Sequence, residues 1–314
     1  MPGFERPEPP SAADVLCVGE AMVLLTPADA RRLDRTERLA ISIGGAESNV
    51  ALYLSDLGVR AAWLSHVGDD PFGRRVVAAL RSTGVDVSHV EVRPEAPTAV
   101  YFKDPDVDDT AVHYYRRGSA ASRMGPQSLG DEVLSAARVV HMSGITPALS
   151  DSCAAMMDRA AARCRALGTA FSFDVNHRPG LWPAAEAAPV LRDLARRSDI
   201  VFVGRDEGER LWGTPTAEAI AEHLGLDGTL VVKDGAVGAT EFREGRRAFL
   251  PAPEVEVVEP VGAGDAFAAG YLAAWLRPGG TAEARLGQGH ALARRALTSI
   301  HDFAPSSPME GSIR

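Results

Sequence analysis

Short apolar runs recur along the chain, separated by alanine-rich stretches with helical spacing. The runs 15–18, 61–67, 139–142, 170–174, 200–203 and 229–232 are almost continuously apolar, with no polar alternation that would mark one solvated face. Strands of that kind are buried on both faces, so the alternation predicts an α/β fold: a three-layer αβα core around a mostly parallel sheet. Two of the intervening helices are well marked. Residues 47–57 close on Gly58 and residues 71–83 close on Gly84, each ending in the residue best suited to a left-handed C-terminal cap. Two regions break the rhythm. Residues 22–43 and 98–117 carry strand-like pieces, such as Ala99-Val-Tyr-Phe and Ala111-Val-His-Tyr-Tyr-Arg, with no helix between them. They predict a small β lid over the C-terminal ends of the sheet strands, where α/β proteins bind ligands. One domain is therefore expected over 14–304, between a disordered Pro- and Glu-bearing tail at 1–13 and a second tail at 305–314.

At 314 residues and 46% hydrophobic content, the chain is long enough to bury one large core. Its formal charge of −9 argues against nucleic-acid or anionic-membrane partners, and means that any anionic substrate needs a local basic pocket. Cys17, Cys153 and Cys164 are odd in number and form no Cys-x-x-Cys pair, which suits reduced thiols in a cytoplasm. The N-terminus has no apolar signal core, and no apolar run approaches membrane-spanning length. Only two of the 33 basic residues are lysines, Lys103 and Lys233.

The strongest candidate chemistry is Val-Gly-Ala-Gly-Asp-Ala-Phe-Ala-Ala-Gly, running from Val261 to Gly270. A glycine turn here enters the uncharged helical run 266–276, whose first amides belong to Gly262, Ala263, Gly264 and Asp265. Helix N-termini attract anions, and a carboxylate among those amides is expected to be ionised near neutral pH. Asp265 is thus either a general base beside a transferring phosphoryl group or an Asp cap on a core helix. Phe267 stands where a dinucleotide-binding fingerprint needs its third glycine, and no Gly-Lys-Ser/Thr triplet occurs, so neither common phosphate-loop class applies.

Four further segments qualify. Gly44-Gly45 precedes a helix and is either a ligand approach or a plain turn. Tyr114 and Arg116 share a strand face in the lid, able to read a polyol acid or to protect an exposed edge. A strand end delivers Asp174, Asn176 and Arg178 ahead of Pro179-Gly180, where an Arg can grip a carboxylate or phosphate. Lys233 ends a strand before Gly235-x-x-Gly238, either a nucleotide rest or an ordinary hairpin. Glu207 could hold Mg²⁺ through water or serve as a first-turn helix acid.

In this order, Gly44-Gly45 through Asn49, Gly68-Asp69 through Gly73, the strand end Asn176–Arg178, the Lys233 turn and Gly262-Ala-Gly-Asp265 resemble the ribokinase-like (PfkB) carbohydrate kinases, across nearly the whole chain. Segments 114–120, 141–150, 174–178 and 258–265 are most similar to the branch acting on 2-keto-3-deoxygluconate. The resemblance implies transfer of the γ-phosphoryl group of ATP to the 6-hydroxyl of that sugar acid, with Mg²⁺ on the phosphates, Asp265 as base and Gly262, Ala263 and Gly264 as anion hole. It implies a substrate pocket of Gly45, Tyr101, Tyr114, Arg116, Arg178 and Asp302, and a nucleotide site of Asn176, Lys233, Gly235, Gly238, Gly262 and Gly264, with Glu207 reaching the metal through water. The chain departs from the family at Gly204, where Asn is common, and at Glu259-Pro260-Val261, where Asp-Thr-Thr and a monovalent-cation site are common. A neutral-sugar kinase such as a fructokinase, and a silent sugar-acid-binding protein, are the alternatives. The exposed edge of the lid leaves a homo-oligomer open.

Overall fold

The structure, a computed structural model, describes residues 12–29, 31–105 and 110–306. Most of both expected tails lies outside the described residues. Where they are described, Ala13 is buried, and Ser306 donates from its amide and its hydroxyl to Asp56.

The chain begins with β1 (Val15–Val18), β2 (Met22–Pro27), β3 (Leu39–Gly44) and α1 (Ala46–Asp56). It continues through β4 (Ala61–Gly68), α2 (Pro71–Ser82), β5 (Val90–Arg93), β6 (Val100–Pro105), β7 (Thr110–Tyr115) and α3 (Asp131–Ser135). Next come β8 (Val139–Ser143), α4 (Asp151–Leu167), β9 (Ala170–Asp174), α5 (Ala184–Arg196), β10 (Ile200–Gly204), α6 (Arg205–Trp212) and α7 (Ala217–Leu224). Then β11 (Thr229–Asp234), β12 (Gly238–Arg243) and β13 (Arg246–Pro251) precede α8 (Ala263–Trp275) and α9 (Ala282–Leu297).

Nine strands form one sheet in the order β13-β12-β11-β10-β9-β8-β1-β4-β5. From β11 to β5 every neighbour is parallel, whereas β12 and β13 are added antiparallel at one edge. Successive side chains of β1 explain the three layers: Val15 and Cys17 enter one apolar cluster with α1, α2, α8 and α9, while Leu16 and Val18 enter another with α4, α5 and α7. Every predicted core strand is present, and the two helices end within one residue of their expected C-termini. The hairpin β12–β13 was not anticipated, because its sequence alternates charge with apolar residues and one end of it faces solvent.

The two irregular regions pair as a second sheet in the order β3-β2-β6-β7. The chain leaves the core twice, between β1 and α1 for β2 and β3 and between β5 and α3 for β6 and β7, and this sheet overhangs the C-terminal ends of β9, β10 and β11. Among the described residues, no helix is long and apolar enough to cross a membrane.

Candidate active site

A cavity of about 1170 Å³ opens at those strand ends, and its wall joins the second sheet to the turn before α8. Tyr101, Tyr114, Asn176, Arg178, Glu207, Lys233, Gly235, Gly238, Gly262, Ala263, Gly264 and Asp265, all singled out from sequence, line it.

The α8 end is built by Gly262, which caps the helix with φ +86°, a left-handed conformation that other residues adopt only with strain. A Cβ there would also sit 2.7 Å from the Asp302 carbonyl. After Asp265, residues 266–274 of α8 are all buried, which is why that run carries no charge. Ala263 donates its amide to the Pro260 carbonyl at 3.4 Å, a long contact that a phosphate oxygen can displace.

Asp265 is 9% exposed and accepts a 2.9 Å hydrogen bond from the Asn49 amide on α1. Burial lifts its carboxyl from 3.8 to about 7, against the pull of Asn49, Arg178 and Lys233. The sequence reading of a fully ionised carboxylate is therefore corrected: desolvation outweighs the helix-end amides, and the group is poised to take or hold a proton at neutral pH.

On the opposite wall, β9 ends in buried Asp174, whose Oδ2 accepts from Lys233 Nζ at 2.7 Å. Asn176 turns the chain with φ +40°, tolerated by Asn, and sends Arg178 outward. No carboxylate of the described residues lies within ion-pair distance of Arg178. Lys233 also lies 3.5 Å from the position of a Cβ on Gly264, so its ammonium borders the glycine turn before α8. Burial disfavours that charge, but Asp174 and Glu207 more than offset the cost and raise its pKa. Glu207 accepts from the Gly204 amide at 2.8 Å, closing the first turn of α6. Its carboxyl is raised by burial and by the neighbouring Asp174 charge. Glu207 is thus a first-turn helix acid, as one of its two sequence readings had it, and it also faces the cavity. The Lys233 turn likewise is a hairpin and part of the cavity wall.

Three predicted substrate residues lie outside that wall. Arg116 is buried and directs Nε and Nη2 to Glu20 Oε2 at 2.7 and 2.5 Å, with Ser119 on the other oxygen. Its guanidinium lies 5.5 Å over the Tyr114 ring, which in turn stacks on Tyr101. Asp302 is 3% exposed and accepts from the Tyr101 hydroxyl at 2.8 Å and from Lys103 at 3.1 Å. Gly45 caps α1, where a Cβ would meet the Glu20 carbonyl at 2.3 Å. Each is drawn into partners that are remote in sequence. Asn49, Lys103 and Asp174 were quoted or counted in the sequence without a role, and only their contacts reveal them.

Residues 12–307 match the family of pfkB carbohydrate kinases. The chain is 38% identical over 273 residues, 83% of its own length and 82% of the relative's, to the 2-dehydro-3-deoxygluconokinase of Thermoproteus tenax. It is 32% identical to the 2-dehydro-3-deoxygalactonokinase of Haloferax volcanii, covering 95% of each chain. Among solved structures, a PfkB protein from Polaromonas sp. JS666 superposes with a TM-score of 0.84 at 37% identity, over 92% of this chain and 97% of that one. The glycine turn at the head of α8, the adjoining carboxyl and a family match over nearly the whole length agree: this chain belongs to the pfkB family of carbohydrate kinases and is a ribokinase-like, ATP-dependent sugar kinase.

Proposed function

We propose that the enzyme phosphorylates the 6-hydroxyl of 2-keto-3-deoxygluconate, the sugar acid also called 2-dehydro-3-deoxygluconate. The observation that carries the acid substrate is Arg178, an exposed guanidinium at the cavity with no carboxylate partner among the described residues, close enough to Asp265 to lower its pKa. A neutral hexose gives such a cation nothing to pair with, whereas a carboxylate gives it a bidentate contact.

With the acid end held by Arg178, the 6-hydroxyl is directed at Asp265, which takes its proton as the oxygen bonds to the γ-phosphorus of ATP and the bond from that phosphorus to the β–γ bridging oxygen breaks, releasing ADP. Amides of Gly262, Ala263 and Gly264 meet the transferring phosphoryl oxygens, and Lys233 adds a positive charge beside them. Asn176, Gly235 and Gly238 shape the nucleotide side of the cavity. Tyr101 and Tyr114 offer ring faces to the sugar. Arg116, engaged with Glu20, acts by fixing Tyr114, and Asp302 by fixing Tyr101. The donor set fits Mg²⁺: Asp174 Oδ1 is buried without a partner and Glu207 stands beside it, so these two would hold the ion through water. When bound, Mg²⁺ neutralises charge on the β- and γ-phosphates.

The pairing of Arg116 with Glu20 favours one competing reading, a neutral-sugar kinase, because it leaves a single arginine for the acid. ADP release measured with ATP and Mg²⁺ separates them, offering 2-keto-3-deoxygluconate, its galactonate epimer, fructose, ribose and gluconate at matched concentrations. Preference for a keto-deoxy acid supports the proposal. Turnover of fructose or ribose alone discards it, and no turnover despite measurable binding would indicate a silent binding protein.

A further inference from the structure

We infer that Lys103 is a positioning residue that sets the anion-hole turn from the second sheet. It sits on β6, only 2% exposed, and its ammonium lies 3.1 Å from Asp302 Oδ1 and 3.3 Å from Glu259 Oε2. Both carboxylates lead directly to Gly262. Glu259 Oε1 accepts the amide of Val261, the residue before Gly262, at 3.1 Å. The Asp302 carbonyl forms the wall against Gly262. One cation thus holds the segment entering the turn and the segment that confines it.

Two features set this cluster apart from an incidental ion pair. Tyr101, two residues earlier on the same face of β6, donates to the remaining oxygen of Asp302, so the strand anchors that carboxylate twice. In a chain with 33 basic residues, both lysines, Lys103 and Lys233, lie in the cavity wall. A compact ammonium can serve two carboxylates arriving from different directions, whereas a planar guanidinium is shaped to grip one in a fork. A shift of β6 therefore moves the Val261 and Gly262 backbone, and the anion hole is assembled only when the second sheet is seated.

Hydrogen exchange in the ligand-free protein tests this without any choice of substrate. Lys103→Met should speed exchange of amides 261–265 at least about tenfold while leaving β9 and α4 unchanged. Since Lys103→Met leaves the buried Asp302 and the half-buried Glu259 carboxylates without the cation between them, the same measurement on Lys103→Met/Glu259→Gln guards against a clash being mistaken for lost positioning. Kinetics supply the second arm, which rests on the proposed kinase substrate. There kcat should fall about 10- to 100-fold with both KM values within about threefold, the scale of a misplaced catalytic group. Methylammonium chloride should restore part of kcat to Lys103→Met and none to wild type, relative to sodium chloride at equal ionic strength. Unchanged exchange at 261–265 in both variants, or uniform loosening of the whole chain, overturns the inference. A wild-type enzyme that ignores every sugar offered sinks the substrate reading alone, because the exchange result stands independently.

Discussion

Replacing Asp265 by Asn tests the catalytic base and the burial argument in one variant. The carboxyl is lifted from 3.8 to about 7 in the fold. At about 1.36 kcal/mol per pH unit, that shift corresponds to about 4 kcal/mol of destabilisation once the group is forced to ionise. The sign follows from proton counts. Below 3.8 the carboxyl is neutral in both folded and unfolded chains and costs nothing; between 3.8 and about 7 the folded chain keeps a proton that the unfolded chain has lost, so stability falls as pH rises. Above about 7 the full penalty is present. Asp265→Asn removes the charge while keeping an oxygen to accept from the Asn49 amide. At pH 8 it should therefore raise the melting temperature of the ligand-free protein by about 6 °C, taking the usual unfolding entropy per residue for a chain of this length. The gain should vanish near pH 4. Over the same comparison kcat should fall by about two to four powers of ten, with substrate binding retained. Melting curves at pH 4 and pH 8 beside steady-state rates settle the matter. Retained kcat would refute the base, and a pH-independent melting difference would refute desolvation as the source of the raised pKa.

Arg178→Ala should raise the KM for the sugar acid about 30- to 1000-fold, the loss of a charged partner to a carboxylate, while the KM for ATP stays within about threefold; equal losses for both ligands would contradict the pocket assignment. Because the base must be deprotonated, log kcat/KM of the wild type should fall with unit slope below about pH 7. Asn49→Ala removes a hydrogen bond that lowers the Asp265 pKa, so the acidic limb should move about one pH unit upward, as read from the kcat/KM profile. Away from the site, Arg285→Met strands Glu241, which is 3% exposed and shared with the Tyr271 hydroxyl. It should cost about 3–5 kcal/mol in denaturant unfolding and leave kcat near wild type at 25 °C.

The core of the fold was readable because its signals are local. A strand covered on both faces must be apolar throughout, and a helix must end, so the runs at 15–18 and 170–174 and the glycines at 58 and 84 declared themselves. The hairpin β12–β13 did not, since buried Glu241 is tolerated only through its remote partner Arg285, and the partly solvated ends of the strands carry Arg243 and Arg247, so the continuous apolar pattern is lost. At the site, the sequence by itself determined the glycine turn, the carboxyl that follows it and the strand-end residues Asn176, Arg178 and Lys233, whose chemistry depends on neighbours a few positions away. Only the tertiary structure decided which charges meet. Glu20 claims Arg116 across 96 positions, Asn49 reaches Asp265 across 216, and Asp302 is bound by Tyr101 and Lys103 from about 200 away. The same holds for the proton affinity of Asp265. Helix-end amides favour the charged form and can be read from sequence, but the desolvation that overrides them exists only once α8 is buried against α1 and α9.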